Sequence, residues 1–208
     1  MLRRISGLAA AILAGALLHA WAGPIKSPAV PAPADTTARS SSGLAGAVDL
    51  AGKPVDPFAL SGGKPVVLVF VRTDCPISNR YAPTIHALSK KYSGQAYVML
   101  VYPDRSETPE DIEKHLHEYG YTNTALRDTQ HALVKVSKVE ITPEAAVFNS
   151  EHELIYHGRI DNWYEDFGHA RSAPTTHELD DAIQAAIDSK HAAPVSVSGI
   201  GCYISDLQ

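Results

Sequence analysis

The chain has 208 residues, of which 45% are hydrophobic and 20% are charged, and its formal net charge is -5. This composition is typical of a globular protein with one domain and terminal extensions. The acidic balance argues against a nucleic-acid partner, because phosphate binding requires a concentrated excess of Lys and Arg.

The first 22 residues have the pattern of a secretion signal. A basic start at residues 1–4 precedes an apolar stretch, and Ala20-Trp21-Ala22 fits the small-x-small pattern of a signal peptidase site. The apolar stretch is shorter than the roughly 20 residues of a membrane-spanning helix. We therefore expect a cleaved signal peptide over 1–22, a protein that is periplasmic or secreted, and no stable membrane insertion after cleavage.

Three further segments follow the signal peptide. Residues 23–43 are rich in Pro, Ala and Ser and predict a flexible linker, because they hold almost no large side chains to bury. A folded domain is predicted over 44–190. Residues 191–208 form a C-terminal tail that carries Cys202, and its first part, up to Gly201, predicts a mobile arm with no regular structure.

Strand-like and helix-like patterns alternate through the domain. Buried or paired strands are predicted at 66–71, 97–102, 145–149 and 154–160, the last two joined by a polar turn. Helices are predicted at 80–92, from Thr108 to Gly120, from Asp128 to Val136, and at 176–190. This order predicts an α/β fold, a three-layer α/β/α sandwich with a mixed central sheet.

Four stretches resemble a known family. They are 48–55 with 63–70, 72–83 around Cys75, Ile141-Thr142-Pro143, and His157-Gly158-Arg159-Ile160-Asp161. In this order they resemble redoxin (AhpC/TSA-like) domains of the thioredoxin-like superfamily. The closest resemblance is to a bacterial group with an Asp-Cys-Pro-Ile-Ser-Asn core and a Gly-Cys near the C-terminus. The resemblance implies a thioredoxin-like fold in which a cis peptide bond before Pro143 faces Cys75.

The chain departs from three other patterns of this superfamily. Ser78 stands where Cys-x-x-Cys oxidoreductases have their second cysteine, and Arg72 stands where peroxiredoxins have a Thr. Thr142-Pro143 occupies the region where copper chaperones of the Sco type have a distant His. These departures leave the reaction open.

Cys75 is the candidate attacking group. It is predicted between a buried strand and a helix, where unpaired N–H groups favour the thiolate, the species that attacks disulfides and peroxides. The alternative is a buried, inert cysteine. Ser78 can hydrogen-bond the sulfur but cannot complete a dithiol, so a resolving thiol has to come from elsewhere. The supporting residues predicted around Cys75 are Arg72, Pro76, Ser78, Asn79 and Arg159.

Cys202 is the one other cysteine of the sequence. Export to an oxidising compartment would allow it to pair with Cys75. Three roles are open: Cys202 resolves Cys75, a permanent disulfide with Cys75 pins the tail, or the cysteines pair between chains or stay free.

The remaining polar and aromatic residues give weaker indications. The ten histidines lack the spacing of a metal site and predict scattered surface residues, with no metal and no other cofactor. A copper site of Cys75 with Cys202 or His157 is the alternative. The aromatic loop Asp161–Gly168 is predicted either to line a partner groove or to cover the tail.

The sequence thus predicts an exported thiol-disulfide oxidoreductase that acts on a thiol or disulfide protein partner or reductant. Cys75 attacks, Thr142 and Pro143 shape the groove, and Cys202 resolves. One alternative is a thiol peroxidase, a peroxiredoxin-like antioxidant that takes a peroxide substrate. Another is a non-catalytic module that delivers copper or docks with an electron-transfer partner.

Overall fold

The structure is a computed structural model that describes residues 46–189 and 195–205. The predicted signal peptide and linker lie outside the described residues. Within these residues, no helix has both the length and the apolar composition that a membrane crossing requires.

Helices and strands alternate along the described chain. The helices are α1 (Pro57–Ser61), α2 (Pro76–Arg80), α3 (Ala82–Lys91), α4 (Pro109–Glu118), α5 (Ala132–Ser137) and α6 (Glu178–Ile187). The strands are β1 (Val66–Phe70), β2 (Tyr97–Tyr102), β3 (Thr124–Arg127), β4 (Ile141–Thr142), β5 (Glu144–Phe148), β6 (Leu154–Gly158), β7 (Tyr164–Asp166), β8 (His169–Ala170), β9 (Val195–Val197) and β10 (Cys202–Tyr203).

The central sheet has the strand order β3-β2-β1-β5-β6-β9. Strand β1 is parallel to β2 and antiparallel to β5, and β5 is antiparallel to β6. Strands β2 and β3 are parallel, as are β6 and β9. The sheet is therefore mixed, as predicted, and β1 lies in its interior.

Both faces of the sheet are covered, so β1 is buried along its whole length. Val67 and Val69 face one core, to which α3, α4 and α6 contribute Ile85, Ile112 and Ile183. The other residues of β1 face a second core with Phe58 of α1 and Leu133 of α5. This arrangement confirms the three-layer α/β/α sandwich.

The predicted helix at 80–92 is wrong in its extent, because two helices stand in this region. The first, α2, begins at Pro76, and α3 begins at Ala82 after a break at Tyr81. Pro83 lies in the first turn of α3, where its missing N–H costs no helical hydrogen bond. Pro76 and Pro83 therefore mark the starts of two helices. The spacing of the apolar residues alone did not indicate the break between them.

The predicted start of α4 is confirmed, whereas α5 begins at Ala132 with His131, and not the predicted Asp128, as its N-cap residue. Thr108 caps α4 in a capping box with Asp111, and Pro109 takes the first position. The carboxylate of Asp128 accepts the amides of Ala132 and Val134 at 2.8 Å each, so it satisfies donors in the first turn of α5.

The prediction of a mobile arm with no regular structure over 191–201 is wrong at Val195–Val197, which form β9. Strand β9 pairs with the edge of β6, and β10 pairs antiparallel with β4. A Cβ atom at Gly158 would lie 2.0 Å from the Val197 carbonyl oxygen, so only glycine permits this close approach. The tail satisfies main-chain groups that an open β6 edge would leave unpaired.

Gly158→Ala should weaken this packing, because the new methyl group has to displace the Val197 carbonyl. We expect the free energy of unfolding, measured with urea, to fall by about 2 kcal/mol or more. The control is Gly168→Ala, where φ is +75° but nothing lies within 4 Å of the added atom. This control should lose only about 1 kcal/mol from backbone strain. Equal losses in the two variants would contradict the importance of the close approach.

Candidate dithiol site

Cys75 lies at the junction between a loop that follows β1 and the first turn of α2. It is the N-cap residue of α2, and Pro76 holds the first helical position, as predicted. The Cys75 carbonyl accepts the Asn79 amide at 3.0 Å, the first hydrogen bond of the helix. The Cys75 side chain is fully buried.

Thr142 and Pro143 face Cys75 from the opposite side. The peptide bond between them is cis, which confirms the prediction. The Thr142 carbonyl oxygen lies 3.3 Å from Cys75 Sγ and accepts its S–H. The short strand β4 therefore ends directly against the sulfur.

The tail brings Cys202 to the same place. Cys202 stands opposite Thr142 in the β4–β10 pair, and its Sγ lies 2.8 Å from Cys75 Sγ. Both cysteines are free thiols, and Cys202 is partly exposed. The structure thus places two cysteines that are 127 positions apart in the sequence side by side.

The surroundings of the two thiols differ. Burial raises the pKa of Cys75, but hydrogen bonds from Cys202 and Ser78 outweigh it and leave this pKa below its usual value. Burial, together with the hydrogen bond and charge of Cys75, raises the pKa of Cys202 to about 12. Cys75 is therefore the more acidic thiol of the pair and the one that forms a thiolate first.

Ser78, which replaces a second motif cysteine, is fully buried in α2, three residues after Cys75. Its hydroxyl has no hydrogen-bond partner among the described residues. The Ser78 proton is therefore available to the Cys75 thiolate, which agrees with the lowered pKa of Cys75.

The loop before Cys75 is held by polar contacts at Thr73. The Thr73 amide donates to Glu107 Oε1 at 2.6 Å, and its carbonyl accepts Asn79 Nδ2 at 3.0 Å. Arg72 forms ion pairs with Asp74 at 2.9 Å and Asp104 at 3.0 Å. Asn79 thus fixes the loop main chain, and Arg72 joins the side chains of Asp74 and Asp104, while its charge opposes the rise in the Cys202 pKa.

His115 holds Asn79, the residue that binds this loop. This role was not predicted from the sequence. The His115 Nε2 lies 2.9 Å from Asn79 Oδ1, and its Nδ1 lies 2.9 Å from the Tyr102 hydroxyl. Asn79 Nδ2 already donates to Thr73, so the network assigns a neutral ring with the proton on Nε2. Burial lowers the pKa of His115, in agreement with this neutral form.

The prediction that the histidines are scattered on the surface is wrong for His115 and His131, which are both buried. The burial of His115 could have been predicted from its position three residues after Ile112, because this spacing places both residues on one face of α4. Within residues 46–189 and 195–205, no group of three or more His, Cys, Asp or Glu side chains is arranged to hold a metal ion.

Arg159 lies outside the dithiol pair, in a neighbouring cavity of about 300 Å³. Its guanidinium forms an ion pair with Glu178. Pro143, Tyr164 of the aromatic loop and Ile200 of the tail line the same cavity. The aromatic loop therefore borders both the Pro143 groove and the tail.

The comparisons with known proteins support a thioredoxin-like fold. A family described as thioredoxin-like matches residues 62–154, the stretch that holds Cys75 and Pro143. Over these residues the chain is similar to the thioredoxin-like family. A curated relative, the thiol-disulfide oxidoreductase YkuV of Bacillus subtilis, is 29% identical over 98 residues, which are 46% of this chain and 66% of that protein. The match thus spans just under two thirds of this relative.

Solved structures show the same fold. A hypothetical protein from Sinorhizobium meliloti is similar with a TM-score of 0.61 and 22% identity, over 75% of this chain and 87% of that one. The dsbF protein of Mycobacterium tuberculosis (MTB), in mixed oxidized and reduced forms, gives a TM-score of 0.52 and 19% identity, over 69% and 96%. These similarities support the thioredoxin-like architecture.

Glu107 makes the stability of the domain depend on pH. Burial, with a smaller contribution from Asp104, raises the pKa of Glu107 to about 7 against the opposing Thr73 hydrogen bonds. A carboxyl with a raised pKa binds more protons in the folded state, so stability falls as pH rises from about 4 to about 7.

Glu107→Gln keeps an acceptor for Thr73 and removes the titration. At about pH 4 we expect the variant and the wild type to unfold with similar free energies. At about pH 8 the variant should be more stable by up to about 3 kcal/mol, measured by urea unfolding at each pH. Glu113→Gln, at an exposed position on α4, is the control. A difference between variant and wild type that is constant with pH would contradict the assignment.

Proposed function

We propose that the protein is a thiol-disulfide oxidoreductase whose reactive pair is Cys75 and Cys202. The observation that carries the proposal is the 2.8 Å approach of the two sulfurs beside the cis Thr142-Pro143 bond. The name of the curated relative, a thiol-disulfide oxidoreductase, supports the same class of reaction. The signal pattern over residues 1–22 supports export of the mature protein.

The reaction with a disulfide partner proceeds in two exchanges. The Cys75 thiolate attacks one sulfur of the partner, a Cys75–partner disulfide forms, and the partner's other sulfur leaves as a thiolate. This thiolate takes the proton of Cys202. The Cys202 thiolate then attacks Cys75 Sγ, which forms the Cys75–Cys202 disulfide and releases the second partner sulfur. The partner disulfide is reduced, and the two cysteines are oxidised.

The charge arrangement favours this order. In the reduced pair, the Cys75 thiolate is one reason that the pKa of Cys202 is raised. Once Cys75 is bound in a mixed disulfide, this negative charge is gone, and the Cys202 proton dissociates more easily. Cys202 therefore becomes a nucleophile only after the first exchange has occurred.

The oxidised pair returns to the reduced state through an external dithiol. Cys202 is partly exposed while Cys75 is buried, so the dithiol reaches the Cys202 sulfur first. Cys75 is then the leaving group, and its lowered pKa makes it the better one of the two. The same asymmetry thus serves both directions of exchange.

A disulfide reduction assay with a protein substrate and a dithiol tests the roles of the two cysteines. Cys75→Ser should lower the turnover rate at least about 100-fold, because the attacking thiolate is lost. Cys202→Ser should lower it at least about tenfold and accumulate a Cys75–substrate disulfide, detected by intact mass. Ser78→Ala, which keeps both thiols, should remain active with a higher Cys75 pKa.

Other outcomes would replace the proposal. Turnover of hydrogen peroxide without turnover of disulfides would favour a thiol peroxidase. Stoichiometric copper that is lost in Cys75→Ser would favour copper delivery. A Cys75–Cys202 bond that resists reduction until below about -300 mV would identify a structural staple.

A further inference from the structure

The docked tail closes the dithiol site. Cys75 has no exposed surface, and Cys202 lies directly against its sulfur. A partner disulfide therefore has no path to Cys75 Sγ while β10 stays paired with β4. Access to the attacking sulfur requires the tail to move.

Main-chain pairing holds both strands of the tail in place. The Arg159 amide donates to the Val197 carbonyl at 2.9 Å, and the Ile204 amide donates to the Glu140 carbonyl at 2.9 Å. By contrast, the side chains of Val195 and Tyr203 are 52% and 77% exposed. Main-chain pairing depends little on side-chain identity, so an extended segment of another protein can form the same contacts.

Gly201 occupies a position at which the site accepts only glycine. A Cβ atom there would lie 2.1 Å from the Thr142 carbonyl oxygen and 2.7 Å from its carbon. These are main-chain atoms of the segment that contacts Cys75, so they cannot move aside without disturbing the site. A strand that presents a cysteine in the Cys202 register therefore needs glycine directly before that cysteine.

We infer that a protein partner reaches Cys75 as an extended Gly-Cys strand that replaces β10 on Ile141–Thr142, and that the tail is its intramolecular competitor. This inference rests on the proposed function, because it names the class of substrate for the same thiolate. The Gly201-Cys202 segment of the chain thus has the same sequence and register as the partner strand that the site selects.

The redox state of the pair controls this competition. A Cys75–Cys202 disulfide ties β10 to the site covalently, so the oxidised protein is closed. In the reduced protein the tail is retained without a covalent bond, by main-chain pairing, by the Gly199 amide that donates to Glu144, and by the packed side chains of Val197, Ile200 and Ile204. The state that can attack a disulfide is therefore also the state that can open. The tail then has to return for Cys202 to resolve the mixed disulfide.

The role of the tail is tested in a Cys202→Ser background. This variant cannot form the Cys75–Cys202 disulfide, so thiol-disulfide exchange within the chain does not affect the result. We expect Gly201→Ala in this background to raise the iodoacetamide alkylation rate of Cys75 at least about tenfold, measured on the high-pH plateau. Tyr203→Ala lies in the same strand with an exposed side chain and should change the rate less than about twofold. Equal rates for all three proteins would overturn the role of the tail as a competitor.

Selectivity is tested independently with two synthetic peptides whose cysteine is activated as a mixed disulfide with thionitrobenzoate. The peptides carry Gly-Cys or Ala-Cys in an otherwise identical extended sequence. With the full-length Cys202→Ser protein, the Gly-Cys peptide should release thionitrobenzoate at least about tenfold faster. Equal rates for the two peptides would overturn the glycine requirement and leave the oxidoreductase proposal standing. No reaction of Cys75 with either peptide or with a protein disulfide would instead refute the oxidoreductase proposal.

Discussion

The main chain of Thr142 is shared by every part of the candidate site. Its carbonyl accepts the Cys75 S–H, its strand pairs with Cys202, and its cis bond to Pro143 turns the chain into β5. Strand β5 is in turn hydrogen-bonded to β1, the buried strand that leads to Cys75. A displacement of Thr142 would therefore alter the positions of both sulfurs, and this explains why the segment is clamped from two sides.

Burial of a thiolate is costly unless hydrogen-bond donors replace water. At Cys75 these donors are the Cys202 thiol and Ser78, and their effect on the pKa exceeds that of burial. The tail thus seals the sulfur from solvent and also supplies one of the groups that stabilise its charge. When the tail leaves, water molecules can donate hydrogen bonds to the thiolate in place of Cys202. Opening therefore need not remove the reactivity of the thiol.

Much of the fold was predictable from sequence, because the apolar runs of β1 and β2 and the caps of α4 are local signals. The cis bond before Pro143 was predictable only through the resemblance to a known family. The tail was not predictable, since β9 and β10 contain few large apolar residues and take their register from the edges of β6 and β4. The meeting of Cys202 with Cys75 was accordingly one of three open alternatives.

The buried polar groups behind the loop were missed for a related reason. Glu107 and His115 are titratable residues in a helical or loop context, where exposure is the usual state. Their burial depends on contacts with Thr73 and Asn79, which are more than 30 positions away in the chain. Apolar packing alone would not fix the orientation of the loop main chain. The bond from the Thr73 amide to Glu107 and the bond from Asn79 to the Thr73 carbonyl fix the two groups separately. The loop that presents Cys75 is therefore oriented by directional bonds that do not involve the tail.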